Sequence, residues 1–287
     1  MLKKKIFILI LLIVSSYSCT TPEVEKSNFD FFAEQFEDIK VLRYQVPGFD
    51  ELTLKQKKLV YYLTEAGLAG RDIMYDQNYR HNLSIRRALE NIYTKYEGDR
   101  DNNNWKNFET YLKRIWFSNG IHHHYSNDKF VPGFSDKYMQ ELLSETKTEM
   151  NSDALNIIFS DKDSKKVNRD SSKGLVIGSA VNFYGEDITE RDVDTFYNVL
   201  TSPDPNKPLS LGLNSKLVRE DGKLMEKVYR VDGMYSNSIK KIVYWLDKAK
   251  EVSENKKQEE AFELLIKYYK TGDLKTWDDY NIAWVES

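Results

Sequence analysis

Apolar residues recur at intervals of three and four through most of this chain, and that spacing narrows its fold more than any other feature. A helix brings such positions onto one face, where they can be buried as a stripe. Thr53, with Gln56 three residues on, has the form of a capping box. The helix it opens carries Leu59, Tyr62, Leu63 and Ala66 on one side as far as Gly70. Asn82 or Ser84 starts another, with Ile85, Leu89, Ile92 and Tyr93 aligned. Residues 105–117 turn Phe108, Leu112, Ile115 and Trp116 inward and end at Ser118-Asn119-Gly120, a turn sequence. Ser135 caps a helix through Leu143, and Thr189 caps one with Asp192 close behind. Residues 239–252 and the Glu- and Lys-rich 256–270 are amphipathic. Gly272 closes the second of these, and residues 277–285 open one more. Near the start, the aromatic-rich residues 29–36 are read as a short helix.

Three segments depart from this period. Residues 40–46 alternate in polarity and are β-branched, so they are read as a strand ended by Pro47-Gly48. Residues 174–184 are apolar and partly β-branched, and are read as a second strand. Lys216-Leu217-Val218-Arg219 and Lys227-Val228-Tyr229-Arg230-Val231 flank Asp221-Gly222, the signature of a hairpin. Residues 98–104, 160–172 and 202–208 are polar, charged or proline-rich and are read as loops. Tyr75-Asp76-Gln77-Asn78 is read as a helix-ending turn. Strands scattered among helices, without regular alternation, make the fold class α+β and mostly helical.

The first residues describe export. Lys3, Lys4 and Lys5 precede an apolar stretch over residues 6–14, and small residues lead to Cys19. That pattern predicts a signal peptide over 1–18 and a lipoprotein tether over 19–28, with lipid on the Cys19 thiol. The expected location is the bacterial cell envelope, membrane-anchored; the alternative is a periplasmic or secreted protein. Cys19 is the single cysteine of 287 residues, which rules out an internal disulfide and a cysteine-built zinc site. Net charge is -3, with acids and bases interspersed, so nucleic acid is not an expected partner.

Candidates for chemistry are few. There are four histidines, His81, His122, His123 and His124. Three in a row point in different directions and do not present three nitrogens to one tetrahedral metal. No H-E-x-x-H, G-x-S-x-G or glycine-rich phosphate loop occurs, so no catalytic residue and no metal ligand is assigned. The triplet does lie in a loop rich in imidazole, phenol, hydroxyl and amide groups. Such a loop suits either a structural role or the wall of a polar cleft.

Several strings, in order, resemble the dipeptidyl peptidase III family. They are Val41-Leu42-Arg43-Tyr44-Gln45-Val46-Pro47-Gly48-Phe49, Lys58-Leu59-Val60-Tyr61-Tyr62-Leu63-Thr64-Glu65-Ala66 and Gly70-Arg71-Asp72-Ile73. Trp116 to Tyr125 and Lys129-Phe130-Val131-Pro132-Gly133-Phe134 follow. The resemblance implies the lower lobe of a two-lobed zinc exopeptidase, with a small β-barrel or mixed sheet among helices, over residues 29–287. It implies removal of dipeptides from the N-termini of short peptides. It also implies a zinc held by an H-E-x-x-G-H motif and a later glutamate, none of which is in this sequence. The expectation is therefore a truncated N-terminal part, inactive and zinc-free alone, lacking the upper catalytic lobe. The alternative is a non-catalytic peptide-binding surface lipoprotein. The family's cleft-lining segment maps onto His123, His124, Tyr125 and Ser126, which are expected to touch substrate.

Overall fold

The computed structural model describes residues 29–287 except 201–203, 205 and 207. The signal peptide, the tether with Cys19, and part of the 202–208 loop lie outside the described residues. The chain divides into two compact units, Met1–Val46 and Pro47–Ser287.

In the first unit, β1 (Phe32–Phe36) and β2 (Ile39–Leu42) form an antiparallel hairpin. The helix read over residues 29–36 is therefore corrected to a strand. Phe32, Glu34 and Phe36 also fit a period of two, and β-branched Ile39 and Val41 supply an extended partner one tight turn away. Glu37 takes the left-handed conformation (φ 49°) that such a turn needs. Arg43 extends the pairing by donating its N–H to the Phe31 carbonyl at 2.7 Å.

The second unit is helical with one further hairpin. Its helices are α1 (Leu54–Ala69), α2 (Arg71–Asn78), α3 (Asn82–Lys95), α4 (Asn103–Ser118), α5 (Asp136–Glu145), α6 (Ser152–Phe159) and α7 (Glu190–Tyr197). After β3 (Ser215–Glu220) and β4 (Lys223–Val228) come α8 (Ser236–Glu251), α9 (Lys256–Thr271) and α10 (Leu274–Glu286). The capping residues read from sequence operate as such. Thr53 and Gln56 exchange both bonds of a capping box at the start of α1, as do Thr189 and Asp192 at α7. Removing the α1 cap with Thr53→Ala is expected to cost about 1 kcal/mol in urea unfolding. No change in midpoint would show that tertiary packing alone sets where α1 begins.

Two apolar cores result. One gathers Ile85, Leu89 and Ile92 of α3 against Phe108, Leu112 and Ile115 of α4, all fully buried, with Trp105, Met139 and Ile157 around them. The other packs Leu59 and Ala66 of α1 against Ile239, Ile242 and Leu246 of α8 and Phe262 of α9. Helix α2 serves both, giving Tyr75 to the first and Ile73 to the second. Residues 75–78, read as a helix-ending turn, are its last turn.

The strand read over residues 174–184 does not form. Gly174 is left-handed (φ 78°), and Asn168 gathers the carbonyls of Asp170 and Gly174 with its side-chain amide. Glu190 accepts the Val176 N–H at 2.7 Å, so these backbone groups are spent in a coiled loop. Of this segment, Tyr184 forms an isolated bridge with Leu217. Without that strand each sheet has two antiparallel strands, and no barrel or mixed sheet closes among the described residues. The Asp221-Gly222 hairpin does form. Both residues have positive φ (49° and 75°), and Glu220 pairs with Lys223. No described helix is long and apolar enough to cross a membrane.

Candidate functional site

The histidine loop joins α4 to α5, and its base is built to hold its tip still. Asn119 ends α4 in the left-handed conformation, and Gly120 follows with φ 144°. Asn82, fully buried at the start of α3, donates to the Tyr75 carbonyl and accepts the Ile121 N–H, each at 3.0 Å. Phe130 donates back to the Ile121 carbonyl at 2.8 Å, and the Arg114 guanidinium lies 4.1 Å from the Phe130 ring centre. The Lys129 ammonium reaches the carbonyls of Ile157 (3.0 Å), Ser160 (2.6 Å) and Lys162. It thereby ties the loop to the end of α6, where helix carbonyls lack intrahelical partners.

The three histidines have different fates. His122 is buried at 2% exposure, and its Nε2–H donates to the Asp163 carbonyl at 2.8 Å. Its Nδ1 has no hydrogen-bond partner among the described residues, and burial pulls its pKa down to about 4. It is a neutral core histidine. His123 accepts the N–H groups of Tyr125 (3.1 Å) and Ser126 (3.0 Å) on Nδ1, so its lone pair holds the tip turn. His124 stacks on His123 at 4.5 Å and meets Phe117 edge-on at 5.0 Å. Ser126 Oγ accepts the Asp128 N–H at 3.3 Å. Tyr125 stands at the tip with 86% of its surface exposed. The structure thus gathers His123, His124, Tyr125 and Ser126 at one tip. Tyr125 presents most of its ring outward, and His123 and Ser126 shape the turn.

Beside the loop lies a polar cluster that sequence spacing did not disclose. Tyr79 donates to Asp163 at 2.7 Å, and Arg80 pairs with Glu186 at 3.2 Å and Asp163 at 3.8 Å. His81 accepts from Arg80 Nε at 3.2 Å, and burial lowers the His81 pKa. A cavity of about 540 Å³ opens here, with Asp153, Asn156 and Lys162 also on its wall. On the last turn of α2, Asp76 accepts from Tyr235 (2.6 Å) and Asn182 (2.9 Å), and Lys216 donates to Asn182 at 2.5 Å. Burial raises the Tyr79 and Tyr235 hydroxyls above the ordinary phenol value, and the accepting carboxylates add to it. The one sequence signal was the density of polar groups in residues 75–82. The partners of Tyr79 and Asp76 lie 84 to 159 residues away along the chain.

These residues do not fit a zinc ion. Among the described residues no group of three or more His, Cys, Asp or Glu is placed to hold a metal. His122 spends Nε2 on a carbonyl, and His123 spends Nδ1 on its own turn. No chemical step is routed through a metal on these side chains.

The model of peptidase family M49 matches residues 178–287. No curated protein matches the sequence. Among solved structures, DPP III from Caldithrix abyssi superposes on 85% of this chain with a TM-score of 0.53 and 17% sequence identity. At that identity the likeness speaks for the fold. This chain spans 35% of the length of that one. Residues 178–287 are thus similar to peptidase family M49, and the chain shares its fold with a dipeptidyl peptidase III.

Proposed function

We propose that the chain is the N-terminal, peptide-contacting part of a zinc-dependent dipeptidyl peptidase that releases dipeptides from the N-termini of short peptides. The M49 match over residues 178–287 carries this reading. In it, the zinc and the groups that activate water belong to an upper lobe beyond these residues, and this chain alone is inactive. Lipid on Cys19 tethers the protein to the bacterial cell envelope. The tip of the α4–α5 loop supplies peptide contacts. The Tyr125 ring offers an apolar face and a hydroxyl to a passing peptide, and His124 supports it with its own ring. His123 contributes by holding the Tyr125 and Ser126 amides in place.

The test uses the full chain and a tetrapeptide with a free amine. Calorimetry is expected to show binding that Tyr125→Ala weakens about ten-fold, the loss of one well-placed aromatic contact. The unfolding midpoint should not move, because the side chain is exposed. Unchanged affinity in the variant would remove Tyr125 from the site, and absence of binding would count against the peptide-contact role. Dipeptide release assayed with and without added zinc is expected to be nil. Release that a chelator abolishes would overturn the inactivity of the isolated chain.

A further inference from the structure

An apolar groove runs between α1–α2 on one side and α8–α9 on the other, well apart in sequence from the histidine loop. It consists of two contiguous cavities of about 420 and 290 Å³, which share Gly70, Met74, Ile242 and Tyr269. Small residues keep it open, with Ala66 buried, Gly70 half-buried and Gly67 exposed. A Cβ on Gly67 would meet nothing within 4 Å, and one on Gly70 would already touch Ile242 at 3.4 Å. Leu68 and Met74 stand on the rim with 56% and 52% of their surfaces exposed.

The charge pattern is simpler still. Of all residues lining the two cavities, Arg71 alone is charged. Its neighbour Asp72 is committed to Arg86 (2.9 Å) and Arg87 (3.0 Å) on the other side of α2. Arg71 forms no ion pair or hydrogen bond among the described residues. A guanidinium beside an apolar trough is complementary to one chemistry in particular, an apolar chain that carries a single carboxylate. An extended peptide fits the larger cavity poorly, since its N–H and C=O groups need partners at each residue and that lining is aliphatic apart from Arg71 and Tyr269. An alkyl chain needs none.

We propose that this groove binds a medium- to long-chain fatty carboxylate. The alkyl chain lies along Ala66, Gly67, Met74, Ile242 and Leu246, and the carboxylate pairs with Arg71. The inference stands apart from the peptidase reading and does not depend on it.

The experiment is calorimetric titration of the full chain with octanoate, decanoate and dodecanoate below their micellar concentrations, and with dodecan-1-ol as the uncharged control. Saturable binding at one site is expected, tightening roughly ten-fold for each two carbons added, as methylene burial implies. Arg71→Gln is expected to weaken dodecanoate about ten-fold and to leave dodecan-1-ol unchanged. Gly67→Leu fills the open space on α1 and should abolish uptake of both. Its unfolding midpoint should hold or rise, because leucine is the better helix former. Three results would overturn the proposal: no saturable binding, equal binding by the folded Gly67→Leu variant, or a dimer of this chain that Gly67→Leu breaks while no carboxylate binds. The last would assign the groove to a second copy.

Discussion

Gly120→Ala is expected to destabilise the second unit by at least about 3 kcal/mol, as positive-φ strain and a buried clash combine. Gly120 sits at φ 144°, where an L side chain is strained. A Cβ there would lie 2.6 Å from Asn82 Cγ and closer still to its amide nitrogen. Asn82 cannot swing aside. It is fully buried, and moving it would strip partners from the Tyr75 carbonyl and the Ile121 N–H. Urea unfolding measures the cost. In an Asn82→Ala background the clash is gone, so Gly120→Ala should cost only the backbone part, about 1 kcal/mol. A single variant within 1 kcal/mol of the parent would show that the α4–α5 turn is not held as described. The histidine loop hangs from this turn, so peptide affinity is expected to fall with stability.

The second large effect is on pH. His122 is neutral in the fold with its pKa near 4, and an unfolded histidine titrates near 6.5. Between these values the unfolded chain binds a proton that the folded chain does not. Stability from this group is complete above about pH 6.5 and is lost as pH falls towards 4, by about 3 kcal/mol. His81, lowered in the same direction, adds to the slope. Asp192, held down to about 2 by Arg219 and the Thr189 cap, acts in a separate window below the ordinary aspartate range. His122→Phe keeps a ring against Tyr79, which now meets His122 edge-on at 5.4 Å, and removes the titration. Its unfolding free energy should vary less between pH 6.5 and 4 than that of the parent. Equal slopes in the two proteins would show that another group drives the acid sensitivity.

The helices, their caps and their buried faces were legible in the sequence because each depends on residues within a few positions. Thr53 with Gln56, Thr189 with Asp192, and the Ile85–Leu89–Ile92 stripe need no distant partner to declare themselves. So too the Asp221-Gly222 turn, where two adjacent residues tolerate positive φ. The histidine loop was visible as an unusual string. What its members do was not. The sequence could not say that His122 would be buried against Asp163, or that His123 would cap its own turn while Tyr125 faced outward.

What the tertiary structure alone decided is where extended backbone and polar side chains found partners. Residues 29–36 suit a helix or a strand, and the neighbouring Ile39–Leu42 segment resolved the choice. Residues 174–184 have a strand's composition, yet Asn168 and Glu190 took their backbone groups into a loop, and with that strand went the barrel. Asp76 and Asp163 looked like ordinary surface acids until Tyr235, Asn182, Tyr79 and Arg80 closed on them. Helical hydrogen bonds are local, so periodicity and caps suffice to specify a helix. Sheet pairing, polar clusters and grooves join residues far apart in the chain, and only the packed fold selects among their possible partners.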